Sequence, residues 1–398
     1  MLRWFIADLR TGRQVLDIKV MSSSTWSRAL NEPERLTAIL DMQDPATIAL
    51  NPRQTMTPGR TVLAVAAGDT ILGAGPIWSH LYDRDRKTLT VAALGLWSYF
   101  DHRFLLPVAA AAVNPGTFIL PDPSAAGKTM VNTALGTYLS NLEYGTIAKR
   151  WVQQAQAWTG GAVPVVFEAD RAGVHERNHD GVDFKNIGTL LSQMAQLEDG
   201  PDIRFKPRFT GDRLGVEWLL QTGTDASRLL ADDAGHAWTI GMPGVPTSRF
   251  QVKVDGERLA SLAWATAGRT VDSVLVSRST DTTLLDLGFP MLEALDASHS
   301  TVAVQTTLDG YARQATAAGR APYETWEFTT EAARQPFLGA YWEGDWCDIT
   351  IPPYDPAKGV GDPYLVEGVK RSRRRILSIA GNAEGLTVDL TTMEQIGG

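Results

Sequence analysis

One cysteine, Cys347, occurs in 398 residues. An intrachain disulfide and a cysteine-rich zinc site are therefore both excluded. No apolar run approaches the ~20 residues that span a bilayer. The opening "MLRWFIADLRTG" reaches Asp8 and Arg10 too early for a signal peptide, so it is read as a first strand of a chain made and folded in a cytoplasm. Cations are also short: 37 Lys and Arg face 45 Asp and Glu, a net charge of −8, and no segment forms a basic domain. That argues against a protein that grips nucleic acid through clustered Lys and Arg. It leaves open an acidic channel that DNA passes without sticking. No G-x-S-x-G elbow is present.

What is present is an ordinary globular composition, 44% hydrophobic and 21% charged. The length calls for two to four domains. Twelve tryptophans run from Trp4 to Trp346. They serve either as apolar anchors of several β cores or as contacts between subunits.

Residues 1–113 read as β. "RWFIADL" and "RQVLDIKVM" flank a hairpin turn at Thr11-Gly12, and Leu36, Ala38, Leu40 and Met42 alternate along "ERLTAILDM". Further turns are expected at Gly68-Asp69, at Gly73 to Pro76 and at Asp83 to Lys87. Residues 114–205 are mixed. Ile147, Trp151, Ala155 and Trp158 recur at helical spacing before Gly160-Gly161. Phe184, Ile187, Leu190, Leu191 and Met194 share a second helical face, with Asp183 as N-cap and Gly200 as stop. Strands return at "DIRFKPRF" and "RLGVEWLLQTG", and again through 249–278. "TLLDLGFPMLEALDAS" reads as a loop and short helix, "TTLDGYARQATAAG" as a helix, and "YETWEFTT" as a strand. The tail, from "FLGAYWEGDWCDITIP" to "GLTVDLTTME", is β again. The class is α+β, mainly β. A strand following Gly68-Asp69 is echoed by one following Gly344-Asp345, which hints at two similar barrels bracketing the chain.

Several stretches invite a chemical reading. His175-Glu176-Arg177-Asn178-His179 matches H-E-x-x-H, which on a helix binds zinc with the Glu as general base. Here Gly173 precedes it and Asp180-Gly181 follow, residues poor in helix interiors, so an exposed loop without zinc is expected. Gly127-Lys128-Thr129 suggests a phosphate-binding loop. Asp122 stands where its first glycine should be, and a surface loop is expected instead. Cys347 lies beside Asp348, which disfavours a thiolate, and reads as a packing residue. Asp83/Asp85 and Asp232/Asp233 read as solvated turn acids. In "KRSRRR", Arg371, Arg373 and Arg375 share a strand face. It is either an exposed or interface strand or a salt-bridging contact for an acidic partner, and the latter is the reading adopted. No catalytic residue, cofactor or metal ligand is assigned, and the chain is expected not to be an enzyme.

In order along the chain, "FIADLRTGRQVLDIKV", "WSRALNEPERLTAIL", "LTVAALGLWSYFDHRFLLP", "GTIAKRWVQQAQAW", "FKNIGTLLSQMAQLEDGPDIRFKPRF" and "FLGAYWEGDWCDITIP" resemble the minor tail proteins of long-tailed actinobacterial bacteriophages, of the tail-hub type related to the hub of contractile tails. The likeness covers most of the chain and lies in the order and texture of these segments. It implies two similar β-barrel hub domains and two inserted mixed α/β domains. The implied division is 1–113, first barrel; 114–205, helical insert; 206–240 plus 336–398, second barrel; and 241–335, inserted α+β domain. It also implies a homotrimer at the virion tail tip, assembled in the host cytoplasm. Its partners would be the distal tail protein, the tape-measure C-terminus, the tip fibre or spike and other minor tail proteins. DNA would be met only in transit. Two other classes stay open: a peripheral receptor- or carbohydrate-binding tail module with an exposed aromatic platform, and the zinc metalloprotease of the H-E-x-x-H pattern.

Overall fold

The computed structural model describes residues 2–107, 118–197, 200–269, 274–299, 302 and 305–394. Most of the chain's apolar alternation is spent on one 13-stranded sheet. Its order runs Thr247–Asp255, Tyr323–Glu331, Thr387–Glu394, Val369–Asn382, Thr25–Ala29, Arg35–Asp41, Thr88–Leu94, Thr70–Asp83, Thr61–Ala67, Arg3–Asp8, Gln14–Ile18. Trp346–Ile351 branches from Val369–Asn382 and carries His236–Thr239 beside it. The mainly-β α+β class thus holds. The strands close no barrel among the described residues. The first and last β regions instead join in one sheet, where Thr25–Ala29 pairs antiparallel with Val369–Asn382 from Thr25↔Asn382 to Ala29↔Ser378.

Local chemistry explains most of these strands. Leu36, Ala38 and Leu40 are buried and their neighbours are not, as a strand with one covered face requires. Gly12 takes the left-handed φ of 69° at the first hairpin. At 83–87 the Asp83 carboxylate accepts from the Asp85 and Arg86 backbone N–H groups, and Lys87 turns the chain with φ 54°. The turn expected at Gly73 to Pro76 is absent, because Thr70–Asp83 runs through it as one strand of 14 residues. Gly75 serves close approach there: a Cβ on it would strike the Leu94 carbonyl.

A second core lies beside the sheet. The helix Tyr144–Gln156 buries Ile147, Trp151 and Ala155, and the helix Ile187–Ala195 buries Ile187, Leu190, Leu191 and Met194. The N-cap of the latter is Asn186, whose side chain accepts from Thr189 N at 2.9 Å, not Asp183. Phe184 has left the buried face and is 44% exposed. Val216–Thr222 pairs with Val165–Phe167 on one side and Ile203–Phe209 on the other, and their Phe205, Trp218 and Leu220 belong to this core. The sequence boundary at 205/206 therefore falls inside a strand, while that at 113/114 lies outside the described residues.

The third unit is a sheet of Val274–Thr280, Leu262–Arg269 and Glu293–His299 covered by the helix Gln305–Ala318. Where a loop and short helix are expected, only Thr283–Asp286 is helical, and "EALDASH" is a strand. It pairs parallel to Leu262–Arg269, a long-range partner that local pattern does not reveal. Among the described residues no helix is long and apolar enough to cross a membrane. Eight tryptophans, including Trp26, Trp151 and Trp218, are buried, so most are core anchors.

Trp218 also donates from Nε1 to the Ala74 carbonyl at 3.1 Å, tying the second core to the large sheet. Trp218→Ala removes both the ring and that tie. It is expected to cost about 3–5 kcal/mol, read as a lower midpoint in urea unfolding.

Candidate assembly site

The H-E-x-x-H stretch is neither helix nor loop. His175–Asp180 is a strand antiparallel to Gly136–Leu142. His175, Arg177 and His179 are half-buried on one face, while Glu176, Asn178 and Asp180 are exposed on the other. At about 3.3 Å per residue the two histidines stand roughly 13 Å apart along the strand, and Glu176 points away from both. Each imidazole has its own surroundings. His175 stacks on Tyr144 with centroids 3.6 Å apart and lies 3.2 Å from Asp225. His179 meets the edge of Trp151 at 5.5 Å, and burial, aided by Lys185 and Arg177, lowers its pKa to about 4. Among the described residues no cluster of three or more His, Cys, Asp or Glu is placed to hold a metal.

The phosphate-loop lookalike is a small hairpin of Ile119–Pro121 with Thr129–Val131. Asp122 caps its turn, accepting from Ser124 N at 2.8 Å and Ser124 Oγ at 2.6 Å. Cys347 is a buried strand residue whose thiol is pushed up to about 12 by burial and then by Asp348. Asp83 caps its own turn, and Asp233 lies 3.0 Å from Arg373.

The arginine run finds its acidic partners within the chain. Arg371 bonds Asp348 at 2.6 Å, Arg373 pairs with Asp233, and Arg375 is buried against Asp202. Arg374 is fully buried, bonded to Glu324 at 2.6 Å and lying 3.6 Å over the Trp326 ring. Acids of the chain itself thus meet the run, while the Arg371 and Arg373 side chains stay 67% and 49% exposed. The basic strand is a seam that ties 202, 233, 324 and 348 together.

Around that seam lies a buried charge junction that no sequence motif marks. Arg28, 1% exposed, donates to the Tyr341 carbonyl at 2.8 Å and stacks 3.9 Å over Trp342. Its Nε is 2.9 Å from Glu343 Oε2, a charge contact off the hydrogen-bond direction. Arg204 reaches the same carboxylate at 3.6 Å and the Glu343 carbonyl at 3.1 Å. Asp345 accepts from Trp342 N and Asp232 N. Glu34 is buried beside this group, and burial, with Glu343 close by, raises its pKa to about 8. Gly344 and Gly68, the paired landmarks of the sequence echo, both take positive φ. Their aspartates diverge, since Asp345 is buried and Asp69 is exposed on Arg213.

The surfaces left for assembly are strand edges and hairpin tips. Gln14–Ile18 and Thr247–Asp255 end the large sheet, and His236–Thr239 has one pairing side. Both end strands carry a bulge, and Val15 at the first is 52% exposed. Bulges guard an edge against indiscriminate pairing. Leu81 and Tyr82 project from one hairpin, and Tyr364 and Val366 from the 352–366 loop.

Two outcomes test the junction. Arg28→Met strips Glu343 of its nearest cation and is expected to cost about 3 kcal/mol. Arg28→Met with Glu343→Leu should cost less than the single change, as read in urea unfolding. For pH, Glu34 holds its proton in the native state and sheds it when unfolded between pH 4.5 and 8. Stability therefore falls as pH rises through that window. His179 acts oppositely: its depressed pKa makes stability rise with pH from 4 to 6.5. The two oppose each other below 6.5, and Glu34 dominates from 6.5 to 8. Melting at stepped pH should show a decline there of at most about 1.4 kcal/mol per unit, flattened by Glu34→Gln.

No protein-family model and no curated protein matches this chain. Solved structures do. The tail protein from Neisseria meningitidis MC58 superposes with a TM-score of 0.54 at 11% identity, covering 98% of this chain and 97% of that one. The 43 kDa tail protein of prophage MuSo2 from Shewanella oneidensis gives 0.50 at 12% identity, covering 98% of each. From one end to the other, this chain has the fold of those tail proteins.

Proposed function

We propose that this chain is a structural, non-catalytic minor tail protein that forms a trimeric hub at a phage tail tip. The observation that carries the reading is the likeness of fold over 98% of the chain to two tail proteins of the same span. The sheet-end strands Gln14–Ile18, past the Gln14 N bond to the Leu214 carbonyl, and Thr247–Asp255 support it, because each has one strand partner among the described residues and offers an edge to a second copy. In this reading the hub joins the tail tube and distal tail ring to a fibre or spike and meets the tape-measure C-terminus. It gates DNA passage, and its net charge of −8 limits adhesion of DNA in transit.

For the domains we propose two related β modules, at 1–113 and in the final third, with two inserts. Ile203–Phe209 and Val216–Thr222 go with the helical insert, whose strand Val165–Phe167 pairs with Val216–Thr222. Thr247–Asp255 and Tyr323–Glu331 go with the second β module, which narrows the second insert to the segment between them.

Light scattering of the purified chain at micromolar concentration is expected to give three times the 43.3 kDa chain mass. Val15→Asp, at the exposed bulge of one edge, should shift the population toward monomer while leaving the melting temperature nearly unchanged. A wild-type chain that stays monomeric would count against the trimeric hub.

A further inference from the structure

Between the helical insert and the third unit lies a cleft of about 870 Å³, within the range of about 300–1,000 Å³ common for small-molecule sites. The strand of the H-E-x-x-H stretch forms part of one wall, giving Arg177, Asn178 and His179, and the helix Ile187–Ala195 adds Thr189 and Gln193. Asp296 and the helix Gln305–Ala318, through Tyr311 and Gln314, form the other. Gln314 Nε2 donates to the Gln196 carbonyl at 2.9 Å across it.

We propose that this cleft binds a neutral oligosaccharide. The lining chemistry selects that class. Amide and hydroxyl side chains each donate and accept, which matches a ligand whose every hydroxyl does both. Tyr311, half-buried in the wall, offers an apolar ring beside them. The charged lining residues are Glu32, Asp101 and Asp296 against Arg177. That surplus of carboxylates repels nucleic acid and phosphate-rich polymers, and a single Arg gives no anion clamp. Trp151, 2% exposed, anchors the helical wall of the cleft from within the core.

The site is independent of the hub reading, since it lies away from the edge strands. The test is an array of neutral, amine-bearing and acidic oligosaccharides probed with the full chain, followed by titration of the best binder. Retention of at least one neutral glycan above the charged ones is expected. Asn178→Ala combined with Gln193→Ala alters two exposed side chains that folding does not need, and should weaken that binding at least tenfold. Lys358→Ala, on a distant loop, should leave it unchanged. The proposal is overturned by an array without neutral binders, by preference for acidic or amine-bearing glycans, or by binding that the cleft pair does not alter.

Discussion

One antiparallel ladder, Thr25–Ala29 on Val369–Asn382, carries the architecture. It joins the start of the chain to its end, so that Arg28 bonds a carbonyl 313 residues away at Tyr341. Without it the two β regions would each present an unpaired edge, and their shared core would divide. Trp26, Leu36 and Trp4 from the first region pack in the same cluster as Trp238, Phe328 and Ile379 from the last. Closing so long a loop is entropically expensive only to a logarithmic degree, and burial of that shared core offsets it.

The charge junction sits where three units meet, and its composition follows from that position. Arg28 comes from the first β region, Arg204 from the helical unit's sheet, and Glu343 from the last β region. A buried ion pair seldom adds stability over a well-packed apolar substitute. What it contributes here is selectivity of contact: each cation finds its acceptors only if all three units dock in one arrangement. The same logic covers Arg375 on Asp202, whereas Arg374 on Glu324 ties strands within the last β region. Arg374 and Arg375 of the most basic run are thereby buried inside the molecule, while Arg371 and Arg373 pair with acids at its surface.

The H-E-x-x-H stretch illustrates how a pattern depends on its secondary structure. Gly173 and Asp180-Gly181 correctly argued against a helix. They did not distinguish a loop from a strand, because the strand's partner, Gly136–Leu142, is about 40 residues upstream. Once it is a strand, the period of two places both histidines and Arg177 toward the protein and Glu176 outward. In place of metal geometry, His175 stacks on Tyr144 and His179 makes an edge contact with Trp151. The Gly73 to Pro76 misreading has a related cause. Glycine signals both turns and close packing, and only the neighbouring strand at Leu94 decides between them.

By itself the sequence determined the mainly-β α+β class, the helices Tyr144–Gln156 and Gln305–Ala318, and the face that Leu36, Ala38 and Leu40 bury. Those features rest on periodicities of 3.6 and 2 that a short window contains. Tertiary structure alone decided that the two β regions form one sheet, that Ile203–Phe209 pairs with the helical unit, and that the arginines of 371–375 face internal acids. It also decided that His179 lines a cleft with Tyr311. Each of these is a pairing between residues far apart in the chain. A strand's pattern fixes which face is apolar and leaves its partner unspecified, because backbone hydrogen bonding is the same for every sequence.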